Sequence, residues 1–167
     1  MKTLIVTGSA GFAGAHFVEH ILKNTDWKVI GLDSFRHRGD SLRIYHDPKR
    51  YEIHTCDLAT PISQRLLNQM GPVDYLVNMA SESHVDRSIA DPVPFVQNNV
   101  NLVLQLLEAA RVLRPKAFIQ ISTDEVYGPA PEGVNYPEWS TIAPSNPYSA
   151  SKAAQEAIAI SYWRTFQ

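Results

Sequence analysis

Cysteine is almost absent: the 167 residues include one, Cys56, which excludes an intrachain disulfide framework. Nothing near it in sequence supplies a metal-ligand or redox partner, so it reads as a small buried side chain and no metal site is expected. An excess of charge is missing too. The 15 Lys and Arg against 17 Asp and Glu leave a formal charge of -2, and the basic residues are scattered, which excludes the basic face that a nucleic-acid backbone requires. No apolar run approaches the roughly 20 residues of a bilayer-spanning helix. Even segment 93–113 is interrupted by Gln97, Asn98, Asn99, Asn101, Gln105 and Glu108. The opening run Leu4 to Val6 is too short for a secretion signal. No repeat, low-complexity tract or linker divides the chain. These absences point to a soluble, cytoplasmic protein with neither a nucleic-acid nor a membrane partner.

What is present has the size and apolar content of one globular domain, with 44% hydrophobic residues. Short apolar runs alternate with helical spacing. Residues 2–6, 27–32, 51–56, 73–78 and 117–122 read as strands. Helices are expected over 12–22, from Pro61 to Met70, from Pro92 to Leu113, and from Pro147 onward with Ser145 or Asn146 as N-cap. Residues 34–50 read as an arginine-rich loop with room for a short helix. Strands each followed by a helix or crossover argue for a parallel sheet covered on both faces. The expected fold is α/β, a doubly wound parallel sheet of order 3-2-1-4-5, whose ligands bind beyond the carboxyl ends of the strands where the order reverses. Its last helix looks unfinished at Gln167.

The first strand runs into Thr7-Gly-Ser-Ala-Gly-Phe-Ala-Gly14, which opens a helix. Gly8 permits the tight turn, Gly11 lets backbone approach a pyrophosphate, and Gly14 lets the helix pack against the sheet, while the helix N-terminus offers free N–H groups. Asp33 ends the second strand about 20 residues on, where a carboxylate serves the adenosine ribose hydroxyls and repels a 2'-phosphate. This favours NAD, although Arg36 and Arg38 close behind leave the phosphorylated form open. Asp57 and Leu58, ending the third strand, are candidates for the adenine; an aspartate there is equally a helix-entry residue.

Tyr148 and Lys152 lie four residues apart on one helical face. A phenol ordinarily titrates near about 10; an adjacent ammonium and a positive nicotinamide stabilise the phenolate and make it a general base. The strand before this helix exits through Thr123-Asp124-Glu125. Neighbouring carboxyls in a partly desolvated site tend to titrate apart, which suits an elimination needing one acid and one base. Adjacent residues of a regular strand face opposite ways, so both reach one substrate only if the chain has left the sheet at Asp124.

Four segments, Thr7 to Gly14, Glu82-Ser-His-Val-Asp-Arg-Ser-Ile89, Ser122 to Gly128 and Pro147-Tyr-Ser-Ala-Ser-Lys152, resemble the extended short-chain dehydrogenases/reductases, most of all the dTDP-glucose 4,6-dehydratases. The resemblance spans essentially the whole chain and implies that residues 1–167 form an NAD-binding Rossmann domain, truncated relative to the family and without its C-terminal substrate domain. It further implies a nucleotide-sugar substrate, dehydrated by transient oxidation at C4. Tyr148, supported by Lys152, removes the 4-hydroxyl proton; Thr123 and Ser83 touch the sugar; Glu125 takes the C5 proton; Asp124 protonates the departing 6-hydroxyl. Around NAD it implies Phe12 and Ala13 at the pyrophosphate, Ser34 beside Asp33, Met79, Ala80, Ser81 and Ser83 at the nicotinamide, and Asn98 and Ser122 against the cofactor. Asn98 stands where the family usually has threonine, and Ser81 where it often has alanine. His84, Asp86 and Arg87 are expected to order a loop at the pocket rim. Sugar-nucleotide epimerases, which usually lack both acids, and decarboxylases, with serine for the aspartate, are weaker fits. A non-catalytic NAD-binding module is a further alternative. The two long helices, apolar over more than one stripe, suggest a homodimer. Without the substrate domain, the chain alone is expected to turn over poorly.

Overall fold

The computed structural model describes residues 1–36, 45 and 47–166. Arg38 and most of the arginine-rich loop expected between the second and third strands lie outside them.

Strand β1 (Thr3–Thr7) is buried from Leu4 to Thr7, as a run with no polar alternation should be when both faces of a parallel sheet are covered. Its side chains alternate between two cores. Leu4 and Val6 join Val18 and Leu22 of helix α1 (Phe12–Asn24) on one face. Ile5 joins Ile30, Leu76, Leu102, Val103 and Leu106 on the other. Strand β2 (Lys28–Asp33) pairs with β1, and β3 (Tyr51–Thr55) pairs with β2. Helix α2 (Gln64–Met70) leads to β4 (Tyr75–Asn78), which returns to the other side of β1. Helices α3 (Val85–Ala90) and α4 (Pro92–Leu113) follow, then β5 (Ala117–Gln120), a 3-10 turn (Asp124–Tyr127) and α5 (Pro147–Phe166). All pairings are parallel and the order is β3-β2-β1-β4-β5. With helices on both faces, this is the Rossmann-like doubly wound sheet that the alternation called for.

Two expectations need correction. Pro61 does not begin a helix; α2 starts at Gln64 because the Ser63 side chain accepts the Leu66 N–H and caps the first turn there. Residues 85–90, expected as loop, form a helix ending at Asp91, immediately before Pro92 opens α4. The later bounds follow sequence signals more closely. Pro92 and Pro94 occupy the first turn of α4, where the missing N–H costs nothing. At α5, the Asn146 Oδ1 accepts the Ser149 N–H at 2.9 Å while Ser149 Oγ accepts the Asn146 N–H at 3.2 Å, a reciprocal cap. No helix among the described residues is long and apolar enough to cross a membrane.

The register decides what reaches the site. Thr7 stands beside Leu32 on one side and Asn78 on the other, and Asn78 beside Gln120. The carboxyl ends of four strands therefore finish level, and the topology reverses between β1 and β4 at that edge.

Candidate active site

Between β1 and α1 the backbone is folded so tightly that side chains have no room. Gly8 has φ +66°, and a Cβ on Gly14 would stand 2.0 Å from the Gly8 carbonyl oxygen. Gly11 caps α1 without a side-chain hydrogen bond, which leaves the helix's first N–H groups for a ligand. The Asp33 carboxylate reaches across to accept the Ala10 N–H at 2.9 Å, with its other oxygen on the Phe35 N–H at 2.8 Å. It thus fixes the turn as well as ending β2. Arg36 forms an ion pair with Asp57, which draws its guanidinium toward the adjacent strand end.

A cleft of about 680 Å³ opens at this edge of the sheet. Gly8, Gly11, Phe12, Ala13 and Gly14 line one end, with Asp33, Ser34, Asp57 and Leu58 beside them. Met79, Ala80, Ser81, Ser83 and Asn98 form the middle, and Ser122, Tyr148 and Lys152 the other end. The exposed side chains of His84, which caps α3, and of Arg87 on α3 also line it, while Asp86 does not. Cys56 is part of the wall, half-buried, its thiol pushed above the ordinary value by burial and by the Asp57 charge.

The acidic segment leaves the sheet as the chemistry requires. β5 ends at Gln120, and the 3-10 turn begins at Asp124 with Thr123 as its cap, its Oγ1 accepting the Glu125 N–H at 3.3 Å. Both acids lie near enough to Tyr148 for their charges to raise its pKa. Glu125 is held by the Asn146 Nδ2 donor at 3.0 Å, so the residue that caps α5 also anchors one of the two carboxyls.

Tyr148 does not titrate as its spacing from Lys152 suggests. Its pKa is raised, first by burial, with the Glu125 and Asp124 charges adding and the hydrogen-bonding side chain of Thr123 opposing. The ammonium is engaged elsewhere: Lys152 Nζ donates to the Ile121 carbonyl at 2.6 Å and is 4% exposed. Burial lowers the lysine to about 8, opposed by the charge of Glu156, itself hydrogen-bonded to Ser122.

Several buried polar side chains were not singled out from the sequence. Ser88 of α3 accepts the Tyr148 N–H at 3.1 Å and docks the start of α5. Asn99 bonds both backbone groups of Glu82, at 2.8 and 3.0 Å, and the Ser151 hydroxyl at 2.9 Å. Gln120 and Gln155 link β5 to α5 at 2.9 Å. The only signal for them in sequence is an amide interrupting an apolar helical stripe. Among the described residues, no cluster of three or more His, Cys, Asp or Glu is arranged to hold a metal.

Comparison with known proteins now bears on this site. Residues 5–167 match the family model described as GDP-mannose 4,6 dehydratase. The chain belongs to that family. This member is 41% identical over 165 residues to the low-salt glycan biosynthesis protein Agl12 of Haloferax volcanii, a match covering 97% of the chain and 52% of that protein. It is 38% identical over 184 residues to dTDP-glucose 4,6-dehydratase 1 of Escherichia coli K12, covering 98% and 51% respectively. Among solved structures, DesIV, the dTDP-glucose 4,6-dehydratase of Streptomyces venezuelae with NAD bound, superposes with a TM-score of 0.89 at 37% identity, covering 98% of this chain and 52% of DesIV. The chain spans about half the length of the relatives it matches. This places it among the extended short-chain dehydrogenases/reductases over their N-terminal half.

Lys152 gives this GDP-mannose 4,6 dehydratase family member a measurable signature. Below pH 8 the amine is charged in folded and unfolded chains alike; between about 8 and 10.5 only the unfolded chain keeps the proton, so the residue's contribution to stability rises with pH across that window. NMR titration of lysine labelled at Cε is expected to show one resonance with a midpoint near 8 that vanishes in Lys152→Met. A Lys152 midpoint near 10.5 would contradict the burial.

Proposed function

We propose that residues 1–167 form the dinucleotide-binding domain of an NAD-dependent nucleotide-sugar 4,6-dehydratase. The observation that carries this reading is that the glycine turn, Asp33, Ser122 and the Tyr148–Lys152 helix line one crevice, with Thr123, Asp124 and Glu125 outside its lining but beside the Tyr148 phenol. The residues present fit NAD. Gly14 lets α1 pack against the Gly8 carbonyl where a Cβ would collide, the N-terminus of α1 carries no capping side chain, and Arg36 is turned onto Asp57 rather than left for a 2'-phosphate. Gly11, Phe12, Ala13 and Gly14 would hold the pyrophosphate, Asp33 and Ser34 the ribose, and Asp57 and Leu58 the adenine. Met79, Ala80, Ser81, Ser83, Asn98 and Ser122 would border the nicotinamide half.

NAD bound there would supply a store for the hydride, taken from C4 and returned to C6 once water has left, and a positive charge beside the phenol. With positive charge beside it, the Tyr148 phenol that burial holds protonated would ionise more readily, and its phenolate could take the proton of the sugar 4-hydroxyl. Thr123, at the cap of the 3-10 turn and hydrogen-bonded to Tyr148, would orient that hydroxyl, with Ser83 of the cleft lining as a second contact to the sugar. Once C4 is a ketone, the C5 proton is acidic, and Glu125, steadied by Asn146, removes it while Asp124 protonates the leaving 6-hydroxyl. The nucleotide portion of the substrate is dTDP on the strength of the named dehydratase relatives.

Titration with NAD and NADP, followed by incubation with dTDP-glucose and assay of 4-keto product, tests the reading. NAD binds more tightly than NADP, and turnover by the 167 residues alone is slow, because remote binding energy normally positions the sugar. Asp124→Asn and Glu125→Gln each lower whatever rate is present by about 10²- to 10⁴-fold. Product formation untouched by both substitutions would end the dehydratase reading, and failure to bind either dinucleotide would end the cofactor reading.

We also propose a homodimer through α4 and α5. Large apolar side chains stand exposed on both, Val93 and Val112 on α4 and Ile160, Trp163 and Phe166 on α5, with Trp163 70% exposed. Light scattering is expected to give a dimer mass that falls to the monomer in Trp163→Glu. A monomer at high concentration in the unsubstituted chain would refute the proposal.

A further inference from the structure

At the carboxyl ends of the central strands a row of polar side chains crosses the sheet. Register places Thr7, Asn78 and Gln120 side by side on β1, β4 and β5, and Thr7 and Asn78 have no exposed surface. The Thr7 hydroxyl donates to Asn78 Oδ1 at 2.6 Å, Asn78 Nδ2 to Gln120 Oε1 at 2.8 Å, and Gln120 Nε2 to Gln155 Oε1 at 2.9 Å. Gln155, also without exposed surface, donates through Nε2 to the Asn99 carbonyl at 2.8 Å. The chain of bonds thus begins at the residue before the glycine turn and ends in α5, which carries Tyr148 and Lys152, and in α4 packed beside it.

Its direction is forced at both ends. Thr7 Oγ1 already accepts the Met79 and Ala80 N–H groups, each at 3.1 Å, so its own proton must go outward and Asn78 must present oxygen to it. Asn78 then has only its NH2 for Gln120, and Gln120 only its NH2 for Gln155. Gln155 is left with a donor pointing at Asn99, whose carbonyl can only accept. Every amide therefore satisfies its neighbour in one orientation and none is frustrated, the condition under which a buried polar network rigidifies a structure.

Two branches reach the catalytic helix. Gln120 Nε2 also donates to the Ile121 carbonyl at 2.9 Å, the same oxygen that receives the Lys152 ammonium at 2.6 Å. Asn99 Nδ2 donates to Ser151 Oγ at 2.9 Å, and Ser151 in turn donates to the Tyr148 carbonyl at 2.7 Å. Leucine or methionine in place of Asn78 or Gln155 would fill the same space without the desolvation that buried amides incur, so packing alone gives no reason for them.

We infer that Gln120 and Gln155 are positioning residues, through which the strand end bearing the dinucleotide turn sets where Tyr148 and Lys152 stand. The inference rests on the reading of that turn as a dinucleotide site. Occupancy of the turn tightens the Thr7 to Met79 junction, and the amide row carries that order to the first turns of α5.

ADP supplies the adenosine and pyrophosphate without the nicotinamide ribose, so it engages the turn without reaching Tyr148. Amide hydrogen exchange is followed in the full chain with and without saturating ADP. Exchange slows at residues 11–15, and at residues 149–152 it slows by about two- to thirtyfold, the range of couplings through packed networks. In Gln155→Met, and separately in Gln120→Met, protection at 11–15 persists while that at 149–152 is lost. Protection at the turn with none at 149–152 in the unsubstituted chain, or equal protection there in both variants, overturns the inference and leaves the dinucleotide reading standing. Absence of protection at 11–15 overturns both.

Discussion

The site depends on how closely three backbones approach at the exit of β1. A Cβ at Gly8 would lie 3.0 Å from the Ala80 Cα, and one at Gly14 2.0 Å from the Gly8 carbonyl oxygen. Only glycine tolerates both contacts, and the close approach brings polar groups of distant segments within bonding distance. The Ala10 N–H meets Asp33 across 23 positions of sequence, and the Thr7 hydroxyl meets Asn78 and the start of the β4 exit. Loosening this junction would widen the cleft at its pyrophosphate end and uncouple the strand ends that hold its other side.

At the far end, electrostatics rather than contact decides what the residues can do. Burial raises the Tyr148 phenol and lowers the Lys152 ammonium, so each is pushed toward its neutral form. The carboxyls of the neighbouring turn work against ionisation of the phenol. Under the proposed function, a phenol held in this way would become a base only once positive charge entered the crevice, which would tie the first proton transfer to the arrival of the dinucleotide. The lysine, locked on the Ile121 carbonyl, serves in this geometry more as a strut between β5 and α5 than as a direct partner of the phenol.

Much of this was legible in sequence where the signal is local. Strands alternating with helices indicate a parallel sheet covered on both faces, Pro92 and Pro94 mark the start of α4, and Pro147 after a capping Ser145 or Asn146 marks the start of α5. Departure of the chain from the sheet before Asp124 was a stated requirement of the acidic pair and is what the 3-10 turn provides. Features set by distant partners were not legible. Residues 85–90 make too short a helix to show a period, and Ser88 is fixed by the start of α5, 60 positions away. The roles of Gln120 and Gln155 follow from the register of β4 against β5, which no single strand's sequence reveals. The upward shift of Tyr148 was missed because helical spacing shows the lysine four residues on but not the burial and the two carboxylates supplied by another segment.

The central claim is that one dinucleotide lies along the whole crevice, from the glycine turn to the phenol. Intermolecular NOEs between bound NAD and the protein test it most directly. The account predicts contacts from the adenine protons to the Asp33–Ser34 and Asp57–Leu58 end and, in the same sample, from the nicotinamide ring protons to the Tyr148 ring. Nicotinamide contacts confined to other surfaces, with the Tyr148 ring silent while the adenine end is engaged, would contradict it.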